Sequence, residues 1–187
     1  QGVNERLLSS LFLSISPRTA GFNTLDLTML TNASIFLTIL LMIIGGSSGS
    51  TAGGLKVTTV EVLFFSAFDN SRRKQTTSIF KRRFSDNTIK QASAMLTFYL
   101  IIGSIGTLIL SSLNSYTLEE VIFEVFSALG TVGITLGITT HLGTISKITL
   151  VALMFIGRVG WMLLIFAIVG RNQKPSINRV SEEIIVG

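Results

Sequence analysis

Gly45-Gly46-Ser47-Ser48-Gly49-Ser50-Thr51-Ala52-Gly53-Gly54 is a ten-residue stretch that interrupts two apolar runs, residues 33–44 and 57–68. Five of its ten residues are glycine, and each glycine costs a regular helix about 1 kcal/mol relative to alanine. The stretch is therefore predicted not to be helical through its middle. Within a bilayer, non-helical backbone is tolerated only where it is packed in protein or lines a water-filled cavity. The break therefore indicates a pathway through the membrane.

The composition is typical of an integral membrane protein. Of the 187 residues, 48% are hydrophobic and only 13% are charged, against about 25% charged in an average soluble domain. The charges are clustered, which leaves long uncharged runs. The absence of cysteine excludes a disulfide framework and thiolate metal sites. With one histidine and no nucleophile–base pair or carboxylate cluster in sight, the chain is not predicted to be an enzyme.

The first apolar run, residues 7–15, is too short to cross about 30 Å of hydrocarbon, which needs roughly 20 helical residues. Pro17 ends it, because proline lacks an N–H and disfavours helix in the residue before it. The loop that follows, Arg18-Thr19-Ala20-Gly21-Phe22-Asn23-Thr24, is small and polar with glycine at its centre. A half-spanning helix leading into such a loop is typical of a pore-lining hairpin. An amphipathic helix that ends in a surface turn is the alternative.

Positive charge is concentrated between residues 69 and 90. Seven of the fifteen Lys and Arg residues lie there: Arg72, Arg73, Lys74, Lys81, Arg82, Arg83 and Lys90. By the positive-inside rule, this loop and the polar tail beyond residue 170 are cytoplasmic. A basic stretch could instead bind nucleic acid or anionic lipid. Between membrane spans its commonest meaning is topology, so no nucleic-acid partner is predicted.

A second unit follows the basic loop. Residues 91–112 form a full-length apolar span, residues 118–129 a second short helix, and Gly130-Thr131-Val132-Gly133-Ile134-Thr135 a second glycine-containing loop. The final span, residues 147–169, carries Arg158 in its middle. An arginine at mid-span costs at least about 2.5 to 3.5 kcal/mol, so it should face carbonyls or water rather than lipid. Snorkelling or a structural ion pair is the alternative.

Two short motifs repeat along the chain. Thr19-Ala20-Gly21-Phe22-Asn23 and Thr131-Val132-Gly133-Ile134-Thr135 share the order Thr-small-Gly-apolar-polar and lie 112 positions apart. Each follows a short helix and precedes a long span, so the unit is outer helix, half-helix, glycine loop and inner helix. The predicted fold is an all-α polytopic membrane protein with about one and a half of four such units. The first copy lacks an outer helix and the chain lacks a start methionine, so we expect a longer parent protein.

The repeated motif suits a site for a dehydrated monovalent cation. Such an ion needs oxygens that replace its hydration shell, and backbone carbonyls turned inward provide them without a fixed charge. Glycine adopts the required backbone angles without steric cost. Because about four loops are needed to surround an ion, either the parent chain has four repeats or chains assemble. The predicted ion-binding residues are Thr19, Ala20, Gly21, Phe22, Thr131, Val132, Gly133 and Ile134.

Three segments resemble the Trk/Ktr/HKT superfamily of K⁺ transporters, and within it subunits of the KtrB type. They are Ser16-Pro17-Arg18-Thr19-Ala20-Gly21-Phe22-Asn23-Thr24, the stretch from Gly45 to Lys56, and Gly130-Thr131-Val132-Gly133 taken with Phe155-Ile156-Gly157-Arg158-Val159-Gly160. Their order and spacing match, and the resemblance covers essentially the whole chain. It implies a third repeat without its outer helix, a cytoplasmic basic loop, a complete fourth repeat and a cytoplasmic tail. The corresponding ranges are 1–68, 69–90, 91–170 and 171–187.

The resemblance also implies roles. Gly21 and Gly133 match the filter glycines, and glycine in all four repeats goes with a preference for K⁺ in this superfamily; Na⁺ as a second transported ion is left open. The glycine-rich break matches an intramembrane loop that gates the pore below the filter, and Arg158 an arginine that adds a positive barrier there. After Gly160 the family pattern has proline, whereas this chain has Trp161. The predicted gate residues are Gly45, Gly46, Ser47, Ser48, Gly49, Ser50, Thr51, Ala52, Gly53, Gly54 and Arg158.

The function predicted from these features is the pore-forming subunit of a K⁺ uptake system in the cell membrane. The resemblance further implies membrane lipid, a second copy of the full-length subunit and a cytosolic nucleotide-binding ring as partners. A secondary carrier with broken helices is one rival, and it requires inverted repeats. A truncated fragment that does not transport is another. Both copies of the motif run in the same sense, which disfavours the carrier.

Overall fold

A computed structural model describes residues 3–24, 26–50, 52–72, 78–79 and 82–160 of the chain. Within these residues the regular secondary structure is helical apart from one short hairpin, and loops join the helices. The helices are α1 (Val3–Ile15), α2 (Asn32–Ile43), α3 (Val57–Ser71), α4 (Asp86–Leu113), α5 (Leu118–Leu129) and α6 (Thr144–Val159). The hairpin pairs β1 (Ser78–Ile79) with β2 (Arg82–Arg83) in antiparallel fashion. Two 3₁₀ turns, Leu27–Met29 and Ile138–His141, precede α2 and α6.

Hydroxyl side chains start three of the helices. Thr31 accepts the amide of Ser34 at the start of α2, and Ser85 accepts the amide of Thr88 at the start of α4. Thr117 begins α5 with a capping box, in which Glu120 in turn binds the Thr117 amide. These residues satisfy backbone N–H groups that a helix leaves without partners. The local sequence therefore fixes where α2, α4 and α5 begin.

Helix α5 lies at the centre of the described structure and packs against α2, α4 and α6. One buried cluster joins α5 to α4 and α6 and includes Tyr99, Leu110, Leu150 and Leu153. A second joins α5 to α2 and the loop after α5, and includes Ile39, Met42, Phe123 and Val132. The short helix is thus held on several sides, whereas its sequence alone is too short to be stable in isolation.

Two glycines let α4 approach its neighbours closely. A Cβ atom placed on Gly103 would lie 2.9 Å from the ring of Phe126 on α5. One placed on Gly106 would lie 2.8 Å from the side chain of Leu153 on α6. In a membrane the hydrophobic effect does not drive helices together, so helices commonly associate through close packing at small residues.

The outward faces of the helices are apolar. Among the described residues, α4 is the one helix long and apolar enough to cross a membrane, as judged by length and composition. Its side chain Leu108 is 70% exposed, and Ile101 and Ile105 are also exposed. Contiguous apolar surface of this kind is rare on soluble monomers. This apolar surface is suited to contact with the hydrocarbon of a membrane.

The helical prediction is confirmed for the described residues, and the break between α2 and α3 is non-helical as expected. The hairpin in the basic loop was not predicted. Its strands are two residues long, too short for a period-two pattern to show in the sequence. Predictions for the second half of the final span, for Trp161 and for the tail of residues 171–187 lie outside the described residues.

Candidate functional site

The first glycine loop, residues 16–24, follows α1 and carries two left-handed backbone positions. Thr19 has φ of 63° and Gly21 has φ of 74°. The amides of Ala20 and Gly21 both donate to the carbonyl of Ser16, at 3.2 and 3.1 Å. The hydroxyl of Ser16 donates to the carbonyl of Phe22. A threonine at positive φ is uncommon and is held there by these contacts.

The second glycine loop, residues 130–137, follows α5 with the same pair of left-handed positions. Thr131 has φ of 53° and Gly133 has φ of 88°. The amide of Val132 donates to the carbonyl of Ser127 at 2.9 Å. The hydroxyl of Ser127 donates to the carbonyl of Ile134 at 2.5 Å. Phe22 and Ile134 hold equivalent positions 112 residues apart, so both loops bond a serine hydroxyl to the equivalent carbonyl, although the two serines differ by one position in the repeat.

The two loops contact each other at their centres. A Cβ atom placed on Gly21 would overlap the carbonyl oxygen of Val132. Glycine is required at position 21 for two reasons, the positive φ and this close approach. The sequence motifs are therefore brought together in space, with carbonyl and glycine backbone facing across the contact.

The predicted ion-binding residues differ in exposure. Val132 and Ile134 are buried, and a Cβ placed on Gly133 would meet no atom within 4 Å. Phe22 is 71% exposed. The carbonyls of Phe22 and Ile134 already accept serine hydroxyls. The carbonyls of residues 19–21 and 131–133 are consequently the better candidates for binding an ion.

The glycine-serine segment, residues 45–54, forms a loop whose two ends are tied together. The Gly45 amide donates to the carbonyl of Leu55 at 2.8 Å, and the Leu55 amide to the carbonyl of Ile43 at 3.3 Å. Ser47, Ser48, Gly49 and Ser50 form an exposed turn at the tip, and Gly49 has φ of 87°. Thr51 lies outside the described residues. The break in the inner helix is thus a closed loop with an exposed tip.

One end of the glycine-serine segment rests on the second glycine loop. The Gly53 amide donates to the hydroxyl of Thr131 at 3.1 Å. A Cβ placed on Gly53 would overlap that hydroxyl, and one placed on Gly54 would lie 3.6 Å from the Cα of Gly130. The absence of a side chain at Gly53 is what allows the two segments to touch, whereas glycine at position 54 suits its φ of 73°.

Two cations lie beside this segment. The Lys56 ammonium donates to the carbonyls of Ser50 and Ala52, at 3.0 and 2.5 Å. A cavity of about 210 Å³ is lined by Lys56 and Arg158, by Ala52 and Gly54 of the glycine-serine segment, and by residues of α4, α5 and α6. Arg158 therefore lies near the segment, and its side chain is exposed. Helix α6, which carries Arg158, lies close to the end of α5. Glycine at position 157 permits this approach, because a Cβ atom there would overlap the carbonyl of Leu129.

Comparison with known proteins settles the family. A profile of the family described as TrkH, cation transport protein, matches residues 2–177. The chain belongs to the TrkH family. Ktr system potassium uptake protein B of Bacillus subtilis (strain 168) is 37% identical over 98% of this chain and 41% of its own length. The potassium/sodium uptake protein NtpJ of Enterococcus hirae is 36% identical over 97% of this chain and 42% of its own length.

A further relative points the same way. Ktr system potassium uptake protein B of Vibrio alginolyticus is 33% identical over 96% of this chain and 39% of its own length. The chain spans about two-fifths of the length of these curated relatives. Membership of a cation transport family places this TrkH-family chain in a membrane, in agreement with its apolar outer faces.

Two side chains that contribute to the site of this TrkH-family chain were not found from the sequence. Lys56 binds backbone carbonyls of the glycine-serine segment. Glu124 is buried in α5 and accepts hydroxyls from Thr135 and Thr139. The missed signal for Glu124 is its place two turns into an apolar helix, where an unpaired charge is costly. His141 lies exposed in the 3₁₀ turn Ile138–His141.

Proposed function

We propose that this chain carries two pore-loop units of a K⁺ uptake protein. The observation that supports this most is the matched pair of loops: Thr19 and Thr131, then Gly21 and Gly133, are all left-handed. The loops also meet, at Gly21 and the carbonyl of Val132. Relatives named as potassium uptake proteins are similar over nearly the whole chain. K⁺ is the proposed cargo, and the relative named for potassium and sodium uptake leaves Na⁺ as a second candidate.

Ion selection in this proposal uses backbone carbonyls of residues 19–21 and 131–133. Alternating left-handed and ordinary backbone angles turn carbonyls toward one side of a loop, where they can replace the hydration shell of an alkali ion. Gly133 borders open space, which leaves room for an ion beside its backbone. No three His, Cys, Asp or Glu side chains of the described part of the chain converge on a metal ion. Backbone oxygens are therefore the donors we propose.

The glycine-serine segment is the proposed gate. It contacts the second glycine loop through Gly53 and Thr131, and Lys56 ties its tip to α3. Lys56 and Arg158 place two positive charges beside the same cavity. A cation that leaves the loops toward this side meets both the segment and these charges, so moving the segment would open the path. The proposed gate residues are those predicted from the sequence, and Lys56 is added to them.

The proposal includes partners outside this chain. Because about four loops surround an ion, two further loops must come from elsewhere in the full-length protein or from another copy. A second copy of the subunit and a cytosolic nucleotide-binding ring are proposed partners, on the family resemblance alone. The basic loop of residues 69–90 and the tail of residues 171–187 are proposed to face the cytoplasm, since seven of the fifteen basic residues lie in that loop.

Uptake by the full-length protein tests the proposal. Cells that lack their own K⁺ importers would express it, and growth at low external K⁺ and initial rates of K⁺ and Na⁺ uptake would be measured. We expect rescue of growth and a higher uptake rate for K⁺ than for Na⁺. A full-length protein that reaches the membrane but moves neither ion would contradict the proposal.

A further inference from the structure

A buried hydrogen-bond network lies behind the second glycine loop. Glu124 is 4% exposed although it carries a carboxylate in an apolar helix. One carboxylate oxygen accepts the hydroxyls of Thr135 and Thr139, the latter at 2.9 Å. The Thr135 hydroxyl oxygen also accepts the amide of Gly137 at 2.9 Å. A buried carboxylate is tolerated only when it is hydrogen-bonded, and here the bonds come from one short stretch of loop.

The network joins the helix to the part of the loop just beyond the proposed ion site. Glu124 and Ser127 are three residues apart on α5 and therefore lie on one face of the helix. Ser127 binds the carbonyl of Ile134 at 2.5 Å, and Glu124 binds the two threonines that follow. Residues 134–139 are thus attached to α5 at two neighbouring points. The backbone between Thr131 and Ile134 is fixed from its outer end by these bonds.

The first glycine loop has a serine bond like that of Ser127, but its short helix has no carboxylate at the position of Glu124. Its serine bond, from Ser16 to the carbonyl of Phe22, has the same acceptor position as that of Ser127, although Ser16 lies one residue after Ile15, the position 112 before Ser127. The position that corresponds to Glu124, 112 residues earlier, is Phe12, and the position that corresponds to Thr135 is Asn23. The carboxylate network is therefore particular to the second loop. It is not a requirement of the shared left-handed turn.

We propose that Glu124, through Thr135 and Thr139, is a positioning residue that holds the carbonyls of the second glycine loop in their ion-binding arrangement. Glu124 itself contacts no ion in this scheme. The transport consequence rests on the proposed function, because it assumes that residues 131–133 select K⁺. The mechanical consequence does not: without the network, residues 135–139 lose one of their two attachments to α5 and keep the bond from Ser127 to Ile134, whatever the loop binds.

Two pairs of variants of the full-length protein test the proposal. Glu124→Leu removes the acceptor, whereas Glu124→Gln keeps a carbonyl oxygen of the same reach and loses only the charge. Thr139→Val removes a hydroxyl at nearly constant shape, whereas Thr139→Ser keeps it. Glu119→Gln is the matched control, since Glu119 is an exposed acid on the same helix. Membrane abundance of each variant is measured first, so that a folding defect is recognised.

The first measurement is the ratio of K⁺ to Na⁺ uptake, with KM and maximal rate for K⁺ determined separately. Loss of hydrogen bonds to a charged group is expected to lower the ratio about tenfold in Glu124→Leu. Glu124→Gln and Thr139→Ser should stay near wild type, and Thr139→Val should fall between. A purely structural role would lower abundance and maximal rate and leave the ratio unchanged, which would overturn the proposal. Equal loss in Glu124→Gln and Glu124→Leu with a silent Thr139→Val would also overturn it, in favour of a direct effect of the charge.

The second measurement is amide hydrogen exchange of the purified protein, which needs no transport. Exchange over residues 134–141, including the Gly137 amide, should rise about tenfold in Glu124→Leu and Thr139→Val, while α4 stays protected. If the wild-type protein fails to transport K⁺ but exchange responds in this way, the proposed function is wrong and the positioning role stands. Unchanged exchange in both variants would overturn the positioning role, whatever the protein transports.

Discussion

The two glycine loops have the same backbone turn in very different surroundings. The first follows α1, whose side chains Leu8, Leu11 and Ile15 are exposed. The second follows α5, which is buried against α2, α4 and α6. Yet both loops place threonine and glycine at positive φ and close with a serine bond to the equivalent carbonyl. The difference teaches that the turn is encoded locally, whereas its rigidity comes from the helices and side chains around it.

The largest expected difference between the two units lies in their short helices. Phe123 of α5 is fully buried, whereas Phe12 of α1 is 39% exposed. Phe123→Ala should lower the stability of the folded protein by about 3 to 5 kcal/mol, because it leaves a cavity. Phe12→Ala should cost about 1 kcal/mol or less. Thermal unfolding of the purified full-length protein measures both, and equal losses would show that α1 is as well packed as α5.

The glycine-serine segment contacts the second glycine loop, and shortening the segment tests whether it controls the ion flux. Removing residues 47–50 deletes the exposed tip and the carbonyl of Ser50 that Lys56 binds. Losing this and neighbouring bonds, each worth about 1 kcal/mol, should raise the K⁺ uptake rate about tenfold. The initial rate at saturating K⁺ is the measurement, and a deletion in the basic loop, residues 74–77, is the control. A rate equal to wild type, at equal abundance, would exclude the segment as a gate.

A serine in place of each loop glycine separates backbone strain from steric overlap. Gly133→Ser has room for its side chain but must adopt a left-handed angle, at a cost of about 1 to 2 kcal/mol. We expect its K⁺ to Na⁺ uptake ratio to fall about fivefold or more. Gly21→Ser should be worse, because its Cβ also overlaps the Val132 carbonyl.

Gly143→Ser is the control for these substitutions. Gly143 also borders open space but has an ordinary φ of −67° at the start of α6, where serine is a favoured cap. Its uptake ratio should match that of the wild type. Gly133→Ser with an unchanged ratio would remove residue 133 from the ion-binding set, while leaving the loop structure as described.

The smallest expected difference concerns the two threonines at positive φ. Thr131 accepts the Gly53 amide at 3.1 Å, a contact between the second loop and the glycine-serine segment. Thr131→Val removes one hydrogen bond worth about 1 kcal/mol and should raise basal flux about fivefold. Thr19→Val is the matched variant in the first loop and should leave flux near that of the wild type. Flux that rises equally in both would mean that strain at these positions, and not the Gly53 bond, limits opening.

Much of this arrangement is predictable from sequence because it is local. The apolar runs and the caps Thr31, Ser85 and Thr117 fix the helices, and five glycines in ten residues fix the break. The glycines of the Thr-x-Gly motifs predict the unusual backbone angles at Gly21 and Gly133, but the positive φ of Thr19 and Thr131 is not predictable from them. These features depend on neighbours within a few positions along the chain.

The features that escape prediction depend on distant residues. Glu124 meets Thr139 only because the loop folds back along α5, and nothing in a helical pattern shows which hydroxyls it will find. Lys56 binds carbonyls because the glycine-serine segment closes on itself through Gly45 and Leu55. The contact of Gly53 with Thr131 spans 78 positions along the chain. Side-chain identity suggests that such residues need partners, but only the fold supplies them.

The hydroxyl of Thr131 has a thermodynamic consequence, since it belongs to one loop and binds the backbone of another segment. If a bound ion shifts the conformation of the second glycine loop, it must also shift the conformational equilibrium of the glycine-serine segment. Linkage then requires that movement of the segment change the free energy of ion binding by the same amount. Under the proposed function, ion selection at the second glycine loop and opening of the glycine-serine segment would then be thermodynamically coupled.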